Sequence, residues 1–333
     1  MSMAAKYRNL SLLSGLLLFV SCIKEQDSLP GLADSVHFNI QEAVSISATK
    51  SVPAEEAVED LPGSDGMLLV THCEDMPLTL PDRSFRSDTK ATPYGSASDM
   101  REVPFGLVAY TYDTDGAAAS AKTHYAGPAS VSYDNTAGKW LPDTPLYWPR
   151  AGKYIQFYAY TPASAGTVTA ASGSNPTVSY TVPSEVGEQR GFLVADPVQR
   201  RDNPASSPET DVQLTFRHVL SGVRFRIDED YDIESITLSG IPDTGTYHFD
   251  EGTWTGLSQS HPESSFTLNS PSPLSLTTNE GYKVYEPFLM IPQTLPAGAS
   301  VTIRVNGENF VINMEGRELQ KGKLITYTFT YPR

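Results

Sequence analysis

The sequence predicts an all-β protein built as two tandem β-sandwich domains behind an N-terminal signal peptide. Three observations carry this. Short segments rich in Val, Ile, Phe, Tyr and Thr recur at roughly ten-residue spacing in the C-terminal part, with Gly, Pro, Asn and Asp between them. Gly 24 and Pro 25, with only 19% charged residues, suit many short strands and turns better than helices, and no heptad or long helical period is present. About 310 residues remain after the leader, too many for one sandwich and enough for two.

The leader occupies residues 1–21. Lys6 and Arg8 precede the apolar run Leu10–Val20, which is shorter than the roughly twenty residues a spanning helix needs. The run ends in Phe19-Val20-Ser21-Cys22, which resembles a lipobox with acylation on Cys22; ordinary secretion with an incidental cysteine is the alternative. A lipid on Cys22 would be the sole membrane attachment. Losing the leader removes two cations and no acid, so the formal charge moves from −15 to −17. So acidic a chain repels phosphate backbones, and no nucleic-acid partner is expected. Acylation of Cys22 leaves Cys73 with no intrachain disulfide partner; within Leu68–Cys73 it reads as a small apolar residue on a strand.

Residues 22–35 read as a lipidated tether, 36–205 as the N-terminal sandwich and 206–333 as the C-terminal one. Strands are expected at 36–40, 67–72, 105–112, 131–133, 139–141, 154–162, 178–182 and 192–195. In Tyr154–Tyr160 the apolar Ile155, Phe157 and Ala159 alternate with Tyr154, Gln156 and Tyr158, which places one face toward a core. Arg200–Glu209 (RRDNPASSPE) is the sharpest break in composition and sets the boundary at 205/206. Beyond it, strands are expected at 212–216, 222–227, 233–238, 246–249, 266–268, 284–288, 300–305, 310–314 and 324–331.

Catalytic patterns are missing. There is no G-x-S-x-G, H-E-x-x-H, P-loop or dinucleotide G-x-G-x-x-G, and the six histidines are scattered singly. The protein therefore reads as a non-enzyme with no cofactor and no metal. Asp113-Thr114-Asp115-Gly116 has part of a calcium loop but lacks its distal Glu, so a hairpin turn is expected. The acids Asp228, Glu229, Asp230 and Asp232 read as a solvated turn, with a weak divalent-ion site as the sharper alternative. His218 reads as a structural histidine. Trp148, Tyr158 and Trp254 are expected in cores, the alternative being exposed aromatics that stack on sugars.

An ordered series of stretches resembles the fimbrillins, lipoprotein pilus subunits of Gram-negative anaerobes. It comprises the Cys22 lipobox, Thr89-Lys90-Ala91-Thr92 followed by Phe105–Tyr110, Tyr147-Trp148-Pro149 with Phe157–Tyr160, Leu214–Ser221, and Pro287–Pro296. The resemblance runs over roughly 85–333. It implies transthyretin-like, Greek-key sandwiches and an outer-membrane lipoprotein displayed on the cell surface or in a fimbrium. It also implies partnership with other pilus subunits by β-strand addition, and adhesion to a host or bacterial surface ligand. Assembly would follow proteolysis after Arg or Lys, with loss of the first strand and its replacement by a neighbour's. Lys50, Arg83, Arg86 and Lys90 are the candidate cut residues, and ordinary loop cations are the alternative. Ser28 and Ser35, each in an Asp-Ser-apolar triplet, match a short O-glycosylation motif of such anaerobes. The chain stops just after its last expected strand, which suits a tip or accessory subunit that accepts a strand without donating one. The runner-up is a monomeric surface lipoprotein that binds glycan or protein.

Overall fold

The computed structural model describes residues 35–41, 57–60, 68–76, 99–149, 153–184, 186, 189–201, 211–228, 230–231, 233–260, 266–267, 275–279, 281–285, 287–305 and 307–330. The leader, the tether through residue 34 with Cys22 and Ser28, and Lys50, Arg83, Arg86 and Lys90 lie outside them. Among the described residues the chain is all-β, with no α-helix and therefore none long and apolar enough to cross a membrane.

The strands up to the polar break are β1 (His37–Gln41), β2 (Ala57–Asp60), β3 (Leu68–Asp75), β4 (Phe105–Tyr112), β5 (Thr123–Asp134), β6 (Lys139–Pro142), β7 (Tyr154–Thr161), β8 (Thr167–Thr169), β9 (Thr177–Thr181), β10 (Leu193–Ala195) and β11 (Val198–Arg201). After it come β12 (Asp211–His218), β13 (Ser221–Asp228), β14 (Ile233–Ser239), β15 (Thr244–His248), β16 (Thr253–Ser258), β17 (Phe266–Thr267), β18 (Ser275–Asn279) and β19 (Tyr282–Tyr285). The last six are β20 (Phe288–Met290), β21 (Gln293–Thr294), β22 (Ser300–Val305), β23 (Glu308–Asn313), β24 (Glu318–Leu319) and β25 (Lys323–Thr330).

Eight strands form the first sheet, in the order β10-β12-β1-β6-β5-β4-β7-β11. β10 also pairs β7 through Leu193 with Thr161 and Val194 with Tyr160, which closes seven strands into a ring. The ring is filled by Phe38, Phe105, Trp140, Phe157, Leu214 and Phe216, contributed by alternate positions of strands all around it. The second core is enclosed chiefly by three more sheets, with the two-stranded β21-β24 adding Leu319. One has the order β18-β19-β13-β25-β3-β2 with β20 on β13; the others are β17-β14-β22-β23 and β16-β15-β9-β8.

β4 and β7 belong to both cores. They pair antiparallel from Gly106–Tyr160 to Tyr112–Tyr154. Phe105, Leu107, Ala109, Ile155, Phe157 and Ala159 point into the ring, as the period-two pattern predicts. Tyr158 and Tyr160, on the opposite face of β7, are buried too, against the second core together with Val108 and Tyr110. That face is not solvated because the other sheets pack onto it.

Sheet membership does not follow chain order. β12 comes after the break at 205/206 yet is a ring strand, paired to β1 and β10. β3 comes before it but pairs β25, and β9 pairs β15. Strands on either side of that division thus share sheets.

Lys122 ties the ring to the second unit. Its side chain is 8% exposed, and Nζ lies 3.1 Å from each of the Tyr158 hydroxyl, Asn175 Oδ1 and Asp250 Oδ2. The Tyr158 hydroxyl donates to Asp250 Oδ1 at 2.6 Å. Burial, and then the Asp250 carboxylate, push the Tyr158 phenol well above its usual range.

β5 is much longer than the expected 131–133, because its first half contains Gly127-Pro128 and lacks alternation. Its pairing with β4 slips on either side of Ala109. Gly127 has φ +92°, and a Cβ there would sit 2.2 Å from the Leu107 carbonyl oxygen. Gly127→Ala is therefore expected to lower unfolding free energy by about 2 kcal/mol or more, measured by urea denaturation. A change below about 0.5 kcal/mol would mean that the β4–β5 contact relaxes freely.

Candidate functional site: the seats of the N-terminal strands

β1 is only five residues long, but it lies inside the ring wall. It pairs parallel with β12 from His37–Asp211 to Gln41–Thr215, and antiparallel with β6 through Phe38–Trp140. Val36, Phe38 and Ile40 are buried, while Asn39 between them is exposed. Phe38 meets Phe105 and Phe157 edge-on, at centroid distances of 5.9 and 5.4 Å. Just upstream of the strand, the Val36 N–H donates to the Leu146 carbonyl at 2.7 Å, and Ser35 forms a bridge with Tyr147. The Tyr147-Trp148-Pro149 block thus closes one end of the seat, and Trp148 meets Phe157 at 6.1 Å. Each buried apolar side chain contributes roughly 1.5–3 kcal/mol, so three of them hold so short a strand in place.

His37 is the titratable group of the seat. Its Nε2 lies 2.9 Å from Ser35 Oγ and its Nδ1 3.8 Å from Asp211 Oδ1, and Lys139 Nζ is 3.0 Å from the same Asp211 oxygen. Burial and then the nearby Lys139 charge lower the His37 pKa, with Asp211 opposing them. The neutral ring is the form that fits. Its contribution to stability is complete above the ordinary histidine pKa and is lost as pH falls through the lowered one.

β3 occupies a second seat. All eight of its residues pair antiparallel with β25, from Leu68–Thr330 to Asp75–Lys323, and Met76 N–H donates to the Gly322 carbonyl at 2.7 Å. Leu69 and Met76 are buried in the second core, and Cys73 is half-buried on this strand. β25 lies between β3 and the parallel β13, with Leu324, Ile325, Tyr327 and Phe329 buried. Two N-terminal strands therefore complete two different cores, and the β3 seat was not legible because nothing local ties 68–75 to 323–330.

Other expectations resolve locally. Ser35 is 8% exposed with its Oγ on His37, so a glycan there requires β1 to leave its seat. At Asp113–Gly116 the chain turns, Asp113 pairing with Lys153 and Asp115 accepting from Gln199 at 2.7 Å. Asp228 accepts the Asp230 N–H at 3.1 Å in a turn of its own. Among the described residues, no group of three His, Cys, Asp or Glu is placed to hold a metal. His218 is buried at the end of β12, across from Leu193. Trp148 and Tyr158 are buried, and Trp254 is half-buried with Nε1 donating to the Val219 carbonyl at 2.9 Å.

Phe38→Ala is expected to cost about 3–5 kcal/mol in a denaturant titration, and a loss below about 1 kcal/mol would mean that β1 is not integral to the ring. Between pH 7.5 and pH 5.5 the wild-type unfolding midpoint should fall more than that of His37→Gln. Equal falls would remove His37 as the source of the pH dependence.

Similar solved structures include a candidate cell adhesion protein from Bacteroides uniformis, 18% identical over 68% of this chain and 84% of that one, with a TM-score of 0.44. Another, from Bacteroides ovatus, is 16% identical over 69% and 86%, also with a TM-score of 0.44. The fimbrial anchor protein Mfa2 from Porphyromonas gingivalis is 15% identical over 65% and 76%, with a TM-score of 0.24. Among curated proteins there is no match. Residues 89–333, almost three quarters of the sequence, match the family described as fimbrillin-like, and the chain belongs to that family.

Proposed function

We propose that this chain is a pilus subunit, in a tip or accessory position, whose N-terminal strand is a removable plug. Acylated on Cys22, it is held at the outer membrane until proteolysis. It then accepts a strand from a neighbouring subunit at the vacated seat and takes part in adhesion. The carrying observation is the β1 seat: a five-residue strand internal to a ring, with buried side chains in alternation and few pairs to β6. Such a seat offers main-chain hydrogen bonds for affinity and side-chain pockets for register.

The four candidate cut residues differ in what they would release. Lys50 lies between β1 and β2, so cutting there separates β1 alone. Arg83, Arg86 and Lys90 lie between β3 and β4, so cutting at any of them separates β1, β2 and β3. The second case would open both cores and accept a longer donor. β25 is a poor donor, since its departure would strip four buried apolar side chains from its own subunit; this supports the accepting role.

A second reading has one observation in its favour. Tyr125 and Tyr147 are each 38% exposed and adjacent, with the Tyr125 hydroxyl donating to the Tyr147 carbonyl at 2.8 Å. Two accessible tyrosines brought this close could stack on a sugar, as a free-standing glycan-binding lipoprotein requires.

The test is limited digestion of the acylated precursor with an Arg/Lys-specific protease, followed by mass spectrometry, sizing, and addition of a labelled peptide spanning residues 34–42. The expected result is a cut between Lys50 and Lys90, with the peptide bound only by the cut form. A cut subunit that stays folded and does not take the peptide would sink the plug reading, and a glycan array would then address the Tyr125–Tyr147 pair.

A further inference from the structure

The geometry points to a second association surface, a homotypic one at β23, distinct from the seats of β1 and β3. β23 is the outer strand of β17-β14-β22-β23, a sheet that contains neither N-terminal strand. Its residues Phe310 and Val311 are 40% and 67% exposed, and Val311 is the most exposed large hydrophobic side chain among the described residues. The sequence of β23 lacks the basic residues and prolines that usually guard an edge. Residues 308–314 (ENFVINM) contain no Lys, Arg or Pro, and Glu308 is their only charge. An edge this apolar and this lightly charged calls for a cover.

The pairing of β23 with β22 fixes which main-chain groups are available. Val305 pairs Glu308 across a two-residue connection, so Val305–Glu308, Ile303–Phe310 and Val301–Ile312 are the hydrogen-bonded pairs. The Met314 N–H, donating to the Ala299 carbonyl at 2.9 Å, keeps the same parity. The N–H and C=O groups of Asn309, Val311 and Asn313 therefore point away from β22.

A second copy of this chain fits that edge in one antiparallel register, with the two-fold axis on Val311. Val311 then faces the partner's Val311 in a hydrogen-bonded pair. Asn309 faces the partner's Asn313, and vice versa, with amide side chains that can donate and accept. Phe310 faces the partner's Ile312 on the core side, where its exposed ring would be covered. Glu308 falls opposite the partner's Met314, so no like charges meet. The contact is isologous, as a closed dimer requires, and joins two four-stranded sheets into one of eight. A strand pairing this short belongs below about 1,200 Å² of buried surface, which implies a weak, concentration-dependent dimer.

The test is sedimentation equilibrium of the full chain, purified in detergent so that an N-terminal lipid cannot itself associate, up to about 500 μM, the weak range expected of a contact this small. The wild type should dimerise. Val311→Lys and Val311→Glu, at an exposed position that folding does not depend on, should each weaken the dimer about tenfold or more by setting like charges on the axis. An equimolar mixture of the two variants should recover dimers. A wild type that stays monomeric throughout, a Val311→Lys chain that dimerises as well as wild type, or a mixture that recovers nothing would overturn the assignment.

Discussion

The pairing of β4 with β7 is the constraint on which the rest of the molecule depends. Those two strands are the common wall of both hydrophobic cores, with one face turned into the ring and the other onto the second unit. A strand buried on both faces has no position that can be spent on solvent. It also accounts for the tyrosines: Tyr110, Tyr158 and Tyr160 bring large apolar rings to the second core, each with a polar tip. For Tyr158 the tip is used, since it joins Lys122 and Asp250. Buried charge of this kind adds little net stability, but losing one partner strands the other. The triad therefore fixes how the ring sits on the second unit more than how strongly the two adhere.

Against that wall, the N-terminal strands join sheets whose other members come from elsewhere in the chain. β1 and β3 both precede it in the chain, and one completes the ring while the other flanks β25. β1 has five parallel pairs and one antiparallel pair. Its hold therefore rests on three apolar side chains and the neutral His37 more than on a long hydrogen-bonded ladder. The proposed exchange would draw on both features, buried alternate side chains to set register and a short ladder to part.

Much of this was legible in the sequence. Phe105–Tyr112 and Ser300–Val305 coincide with β4 and β22, and most other expected strands fall within two residues of an observed one. Local alternation is a local property, and it survives folding. What sequence reading missed was non-local. Tyr158 is expected in a core, but the period-two pattern of Tyr154–Tyr160 points to a single buried face and does not show that a second sheet also covers Tyr160. The first half of β5 hides because a bulge and Gly127-Pro128 interrupt its period. Nothing near residues 68–75 or 211–218 says which sheet each will join, since partner choice is settled by the packing of distant faces. The candidate cut residues rest on what the fimbrillin resemblance implies, and their meaning depends on which strands precede them.

Net charge bears on how such a subunit can meet others at all. At −15, two copies repel each other at long range, but at physiological salt that repulsion is screened beyond roughly 8 Å. Association is then decided by what lies at the contact itself. The β1 seat buries apolar side chains, and Asp211 beside it is paired with Lys139. The β23 edge differs, with six consecutive uncharged residues from Asn309 to Met314 in a chain that otherwise carries more acid than base. A strongly acidic protein that assembles through strands needs stretches of this kind, because a single unpaired carboxylate opposite its own copy would offset most of what a short ladder contributes.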